Sequence, residues 1–289
     1  MQSGGRRDFA RRFAAGQPIA GVSLFVKAGA RRSELAAVSA FCLVSSHMKS
    51  PDAHGQGLVD RALDPRRYDG HTDDPFESAG LLHALMPSGV RVLDVGCGTG
   101  SVTLIANRGK GNDVVGIEPD AQRVDVARSR GVEVRCGYLT AEFFEEHGKF
   151  DVIVFADVLE HLAEPAAMLD LALNGLKPHG HVLISVPNAV HWTMRWQLLR
   201  GRFDYRESGI RDSTHLRWFT RHTLEQLLLS RGLYVADWRY SAGTTLWDYA
   251  QGWWGRLKPH RRNRLIYEGL KRWPLLFACQ HVVKARRKP

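Results

Sequence analysis

The 289-residue chain has little cysteine, no long apolar run and, at its two ends, little acid. Its four cysteines, Cys42, Cys97, Cys136 and Cys279, show no metal-ligand spacing and are too few for a disulfide scaffold. A reducing, cytoplasmic setting is therefore expected. No apolar run reaches the roughly 18 residues that cross a bilayer, which argues against a transmembrane helix. Hydrophobic residues still make up 44% and charged residues 24%, the balance of a folded chain and not of a disordered or collagen-like one. The length suits one large domain or two small ones.

The net charge of +10 invites a nucleic-acid reading, but its distribution argues against a uniform basic surface. Residues 1–49 hold 8 Lys/Arg against 2 Asp/Glu, net +6. Residues 50–189 hold 12 against 21, net −9, and residues 190–289 hold 20 against 7, net +13. All eight tryptophans follow residue 190. An N-terminal extension over 1–55 is expected to lie outside the fold, with Met48 as an alternative start. Its apolar stretch from Leu35 to Val44 follows Arg31 and Arg32 as in a signal peptide, but begins too far into the chain and lacks a clean cleavage site. Residues 56–289 are expected to form one domain.

From residue 90 the sequence alternates strand-like and helix-like segments. Strands are expected at 90–95, 113–118, 132–136, 150–155 and 181–186, with helices at 101–108, at 121–130 and from Pro165. Such βα repeats imply an α/β fold with a doubly wound, mostly parallel sheet and helices on both faces. Ligands then sit beyond the carboxyl ends of the strands. There the first strand ends in Asp94-Val-Gly96-Cys97-Gly98-Thr-Gly100. Glycines permit close backbone approach, and the helix that follows favours electronegative atoms. Glu118 ends the second strand, where a carboxylate can accept both hydroxyls of a ribose. The dinucleotide pattern G-x-G-x-x-G is absent, because Ser101 or Thr103 stands where its third glycine would fall. Asp94 at the loop's mouth would repel a pyrophosphate and suits an amino group, favouring S-adenosylmethionine over NAD.

Val92 to Gly100 resembles the cofactor motif of class I S-adenosylmethionine-dependent methyltransferases. Glu118, the stretch Phe150 to Leu162 and the stretch Leu176 to Asn188 resemble that family's next motifs, in order. The resemblance implies a Rossmann-like seven-stranded sheet with an antiparallel last strand and S-adenosyl-L-methionine as cofactor. It places Asp94, Gly96, Cys97, Gly98, Gly100, Glu118, Pro119, Asp157 and Val158 around that cofactor. The segment with Gly201-Arg-Phe-Asp-Tyr205 and Asp212-Ser-Thr-His-Leu-Arg-Trp-Phe-Thr220 is similar to a bacterial methyltransferase subgroup with a G-R-F-D-Y and D-x-T-H-L-R-x-F-T signature. That subgroup implies a small-molecule or envelope-glycan acceptor.

A lid is expected over 189–220 and an insert over 241–275 carrying Trp247, Trp253, Trp254 and Trp273, between strands at 233–239 and 277–284. Thr220 is the expected N-cap of the helix between lid and strand six. Methyl transfer to a hydroxyl needs a proton acceptor, for which histidine is suited near neutral pH. His215, three residues after Asp212, is the leading candidate, with His161 and His191 beside it. Helix capping or packing is the competing reading for His161, and a hydrogen-bonded pair that only shapes the lid is the competing reading for Asp212 and His215. No metal is required, since the sequence shows no tight ligand cluster. Arg202, Arg211 and Arg217 suit an anionic acceptor or a solvated face, and Trp192, Trp196 and Trp218 suit lid packing or acceptor stacking. A nucleic-acid methyltransferase is the alternative class, weakened by Ala156-Asp-Val-Leu-Glu160 where base N-methylation uses an N-P-P-Y-like loop. A third reading is a non-catalytic cofactor-binding or membrane-surface protein, with 247–273 as an interfacial element at the inner membrane face.

Overall fold

Alternating β-branched runs and short helices build a single seven-stranded sheet in the computed structural model, which describes residues 64–66 and 68–288. The extension expected over 1–55 lies outside the described residues. Helix α1 (Ser78–Leu85) precedes β1 (Arg91–Val95), α2 (Ser101–Asn107), β2 (Asp113–Glu118), α3 (Ala121–Ser129), β3 (Glu133–Cys136), α4 (Ala141–His147) and β4 (Phe150–Ala156). Next come α5 (Pro165–Asn174), β5 (Leu176–Pro187), α6 (Trp192–Leu199), α7 (Arg221–Ser230) and β6 (Leu233–Ser241). The insert forms α8 (Gly252–Arg256), α9 (Pro259–Arg272) and α10 (Pro274–Phe277) before β7 (Gln280–Arg287).

The strand order is β3-β2-β1-β4-β5-β7-β6. Strands β1 to β5 run parallel, and β7 is antiparallel to both β5 and β6. This is the mostly parallel sheet that the sequence pattern implies, with the antiparallel last strand that the family resemblance implies. The order reverses between β1 and β4, so a crevice opens beyond their carboxyl ends. The central strands are apolar on both faces because both are covered. Side chains alternate along each strand, so Leu93, Ile153, Phe155 and Ile184 join one cluster. Val92, Val152, Val154 and Leu183 join the other, under Leu82 and Leu85 of α1. Each fully buried aliphatic side chain contributes about 1.5–3 kcal/mol, so these two layers hold the strand ends rigidly.

The helix starts have local causes. Asp120 caps α3 by accepting from the backbone of Gln122 at 2.9 Å and Arg123 at 3.2 Å. Thr220 caps α7 in a reciprocal box with Thr223, at the position anticipated. Pro165 opens α5, where its missing N–H is no loss. Helices α1 and α4 carry no strong period and are not anticipated from sequence. Strand β7 starts three residues later than the expected 277, because Pro274 begins a helical turn that takes in Phe277. The insert has its own small core of Ala242, Tyr249, Ile266, Leu270 and Ala278. Asn188, just past β5, ties it down by donating to the carbonyls of Ala278 at 2.8 Å and Leu275 at 3.2 Å.

Candidate functional site

The crevice at the sheet's reversal point gathers the residues that the strand ends deliver. Asp94 lies one residue from the end of β1 and is buried. Its Oδ2 accepts from Thr103 Oγ1 at 2.5 Å, while Oδ1 is buried without a partner. Burial pushes this carboxyl up to about 7, against the pull of the Thr103 hydrogen bond and with the help of Glu118's charge. Glu118 reaches across from β2. Its Oε2 accepts from Gly98 N at 3.0 Å and Oε1 from Asp120 N at 3.1 Å, and burial raises its pKa.

Two glycines show why the loop needs them. Gly96 has φ +69°, and a Cβ there would lie 2.8 Å from Val158 Cγ2, so the β1 and β4 loops touch only because this residue is glycine. Gly98 has φ +56° and nothing within 4 Å of where a Cβ would stand, which leaves an open cradle over the loop. Asp157, after β4, is the only described non-glycine residue in the left-handed region, at φ +55°. Its backbone N donates to Ser185 O at 3.1 Å, and its Oδ1 accepts from Gln280 Nε2 at 2.8 Å. Burial raises its pKa, while the neighbouring charges of His71 and His215 pull it down. Strain of this kind persists where surrounding contacts over-determine it, often at functional sites.

Cys97, expected in the cofactor set, sends its side chain the other way. It packs with Val124, Ala127, Val132 and Val134, filling the space over Gly116. Its contribution to the loop is therefore its backbone. Gly100 caps α2 from the left-handed region, and the Pro119 carbonyl faces Cys136 Sγ at 4.0 Å.

The acceptor side of the crevice is built from distant sequence. Glu160 and His161 lie in a short 3-10 turn after β4, and the lid brings Asp212 and His215 against them. The backbone N–H groups of Leu216 and Arg217 donate to Glu160 O at 2.8 and 2.9 Å, clamping lid to turn. The His161 and His215 rings meet edge to face with centroids 4.8 Å apart. His161 Nδ1 lies 3.2 Å from Thr214 O and 3.1 Å from Thr214 Oγ1, and His215 Nδ1 lies 3.2 Å from Ile210 O. Asp212 is anchored to Thr214 and Tyr68. Its Oδ1 accepts from Thr214 N and Oγ1 at 2.9 and 2.7 Å, and its Oδ2 accepts from Tyr68 OH at 2.8 Å.

His191 is fully buried instead, between Thr193 Oγ1 at 2.9 Å and Tyr249 OH at 3.2 Å. Burial pushes it down to about 3, so it stays neutral at physiological pH and serves as the N-cap of α6 rather than a base. The expected absence of a ligand cluster also needs correcting. Glu160, His161 and His215 bring potential ligand atoms within 4.8 Å of one another, through a fold contact that linear spacing does not show. Arg211 is buried and paired with Asp248 at 3.0 Å, and Arg217 donates to Ala163 O at 3.0 Å. Trp192 donates to Tyr249 OH at 3.0 Å in the insert's core, Trp218 packs on Phe203, and Trp196 is exposed.

Sequence reasoning misses Tyr68, Asp69 and Gln280. Asp69 accepts from Thr99 of the glycine loop and pairs with Arg130 at 2.6 Å, which closes residues 68–69 over that loop. Asp69 is 30 residues from Thr99, and nothing in its local pattern signals the contact.

A parallel sheet with a glycine loop after β1, an acid at the end of β2 and a strained acid after β4 defines a nucleotide-cofactor domain of the S-adenosylmethionine type. The orphaned Asp94 oxygen fits an ammonium group, and the Gly98 cradle and Glu118 carboxylate fit a ribose. The comparisons agree: the family described as "Methyltransferase domain" matches residues 58–237, and the chain belongs to it. A ubiquinone biosynthesis O-methyltransferase of Xylella fastidiosa is 34% identical over 133 residues, covering 40% of this chain and 54% of the relative. One of the same name from Cereibacter sphaeroides is 32% identical over 170 residues, covering 53% and 68%. The chain thus spans about half the length of several curated relatives it matches. A methyltransferase solved in complex with the Haloferax volcanii Trm112 methyltransferase activator is similar in fold. It is 17% identical, covers 83% of this chain and 100% of that chain, and has a TM-score of 0.53.

Proposed function

We propose that the chain transfers a methyl group from S-adenosylmethionine to a hydroxyl oxygen of a small-molecule acceptor. The observation that carries this reading is the placement of Asp157. Its neighbour Val158 lies over Gly96 of the glycine loop, and its carboxylate is close enough to Glu160 and His215 for their charges to act on one another. The O-methyltransferase names of the curated relatives support oxygen as the acceptor atom.

When bound, the cofactor supplies a methyl carbon already activated by its positive sulfonium. The protein's task is alignment, which in favourable cases supplies about 7–11 kcal/mol. In this reading Asp94 takes the amino group, Glu118 exchanges its contact with Gly98 N for the ribose hydroxyls, and Gly96 and Gly98 let the backbone approach. Asp157 and Val158 bound the reacting end. Residues 68–69, held by Asp212 and by Arg130, exclude water from above. Glu160, His161 and His215 receive the acceptor's hydroxyl, with Asp212 acting as a positioning residue through Thr214. Arg211 is buried and neutralised by Asp248, and the exposed Arg217 is tied to Ala163 O and Glu164, so an uncharged hydroxylated acceptor fits better than an anionic one.

The lid's D-x-T-H pattern supports membership of the bacterial subgroup with that signature. The exposed Trp253 and Trp273 beside basic α9 favour a lipid-linked acceptor presented at a membrane face. The test is incubation of the full chain with methyl-labelled S-adenosylmethionine and a host extract, followed by mass spectrometry. A labelled product one methylene heavier, with a hydroxyl replaced by a methoxyl group, is expected. Labelled nitrogen or nucleic acid, or no labelled product beside demonstrated cofactor binding, would overturn the reading.

A further inference from the structure

Asp157 is held by two strands besides its own. Its backbone N donates to Ser185 O and Ser185 Oγ of β5, both at 3.1 Å, and its Oδ1 accepts from Gln280 Nε2 at 2.8 Å. Gln280 is the first residue of β7, 123 residues further on, where the insert returns to the sheet. It pairs in register with Pro187 of β5 and Ser241 of β6, and its Oε1 accepts from Ser241 Oγ at 3.5 Å. The acid that receives this amide has the left-handed backbone, at φ +55°. Its position is therefore over-determined: the backbone is turned, and β5 and β7 fix where the carboxylate points.

The choice of partners has a chemical sense. An amide and a hydroxyl are uncharged donors. They favour the ionised carboxylate without cancelling its charge, which a lysine or arginine would do. Among the described residues no lysine or arginine pairs with Asp157. The titratable groups that face it are His71 from the segment before α1, His215 from the lid, Glu160 from the turn after β4 and Cys279 at the end of the insert. Desolvation raises its pKa, and Gln280 and Ser185 act against that rise. Part of the residue's surface stays open, and its neighbour Val158 lies over Gly96, which puts Asp157 beside the glycine loop. A carboxylate with neutral hydrogen-bond partners and an open side suits a cation.

We propose that Gln280 is a positioning residue that holds Asp157 ionised at the reacting end of the cofactor site, and so favours the positive sulfonium of S-adenosylmethionine over the neutral product. The inference rests on the methyl-transfer reading. As the acceptor oxygen bonds to the methyl carbon, the carbon–sulfur bond breaks and its electron pair stays on sulfur, while the hydroxyl proton leaves to solvent. The attraction to Asp157 thus ends with the transfer. Because the positive charge is already fading in the transition state, the contact serves cofactor loading and product release, not the transfer step itself. Discrimination between cofactor and product is then set from the base of the insert as well as from the glycine loop.

The test is calorimetric titration of the full chain with S-adenosylmethionine and with S-adenosylhomocysteine. Gln280→Met keeps side-chain length and removes the donor. It should weaken S-adenosylmethionine by about tenfold and leave S-adenosylhomocysteine within about twofold of wild type. A merely structural role would weaken both alike. Asp157→Asn keeps a residue that tolerates the left-handed backbone and should lower the same affinity ratio at least as far. Adding Gln280→Met to it should change the ratio no further. The loss in Gln280→Met should also shrink between about pH 6 and about pH 9, because a carboxyl deprived of its donor ionises again as protons are removed. Wild type over the same range subtracts the titration of His71, His215 and Glu160. An unchanged ratio in Gln280→Met or Asp157→Asn, with S-adenosylhomocysteine still bound, overturns this inference alone. Failure of the wild type to bind either ligand overturns the methyl-transfer reading and this inference with it.

Discussion

On one side of the crevice, chemistry is delivered by neighbours in sequence. Asp94, Gly96 and Gly98 lie within five residues, and Glu118 ends the adjacent strand. On the other side, residues 160–161, 212–215 and 280 meet only after the sheet closes, and Tyr68 arrives from before β1. The first side is a strand-end device whose geometry follows from backbone conformation. The second is an assembly whose geometry follows from lid and insert packing. The two should therefore fail differently: the first through ligand affinity, the second through stability and acceptor chemistry.

Asp94 gives the largest separation of affinity from stability. Its folded-state pKa is raised from 3.8 to about 7, so the folded chain holds a proton that the unfolded chain releases. Stability associated with this group is fully present below pH 3.8 and falls as pH rises toward 7, by up to about 4 kcal/mol. Asp94→Asn removes that penalty. Chemical denaturation at pH 7 should show the cofactor-free variant about 1–3 kcal/mol more stable, with the gain vanishing near pH 4. Calorimetry should show S-adenosylmethionine affinity reduced by about 100-fold, as when a buried charged hydrogen-bond partner is lost. A variant that is more stable yet binds normally would remove Asp94 from the cofactor site.

The opposite sign is expected across the crevice. His191 and His281 are buried and pushed down to about 3 and about 4, by burial in both cases and by Arg221's charge at His281. Their contribution is fully present above about pH 6.5, the unfolded value, and is lost as pH falls through the folded values. Between pH 7 and pH 5 each should cost about 2 kcal/mol of unfolding free energy. Both ring nitrogens of His281 lack partners, so His281→Phe should remove about half of that combined acid sensitivity without unfolding the protein. An unchanged pH 7 to pH 5 difference in the variant would show that its burial does not set the acid response.

The same asymmetry decides what was legible in advance. The sheet, the glycine loop and the Thr220 cap follow from local periodicity, φ requirements and hydrogen-bonding chemistry, and the fold has them where the sequence places them. The partners of Asp212 at Thr214 and Tyr68 were not legible, because three residues on an irregular lid do not fix side-chain direction and Tyr68 is 144 residues away. His191 reads as a base only while its burial is unknown. The cluster at Glu160 escaped because its third member lies 54 residues further on than His161, and only the lid-to-turn backbone bonds bring it in.

A smaller effect tests whether the insert stands apart from the cofactor side. Trp192 Nε1 donates to Tyr249 OH at 3.0 Å, and His191 Nε2 shares the same hydroxyl. Trp192→Phe keeps the aromatic packing and deletes that donor. Thermal or denaturant unfolding should report a loss of about 1 kcal/mol, the usual net value of one hydrogen bond. S-adenosylmethionine affinity should stay within about twofold of wild type, since Trp192 packs with Tyr249 and Trp254 in the insert. A parallel drop in cofactor affinity would mean that the two sides are coupled.

The smallest effect is expected at the outer face of the insert, where folding leaves large apolar groups in water. Trp253 is 56% exposed and Trp273 53%, with Leu265 between them at 47%. Arg256, Lys258, Arg261, Arg264, Lys271 and Arg272 are exposed on the same stretch, and Glu268 is its one acid after Asp248. Aromatic side chains with a basic fringe suit the headgroup region of an anionic bilayer, where each basic residue contributes about 1 kcal/mol near the surface. Flotation with phosphatidylglycerol-containing vesicles should recover a modest fraction of the chain, falling as salt is raised because the attraction is screened. Replacing Trp253 and Trp273 together with alanine should reduce that fraction about fivefold while leaving the fold and cofactor affinity intact, since neither ring belongs to the sheet's core. Equal recovery with neutral phosphatidylcholine vesicles, or no loss in the double variant, would leave these tryptophans as packing residues of the insert and detach acceptor capture from any membrane surface.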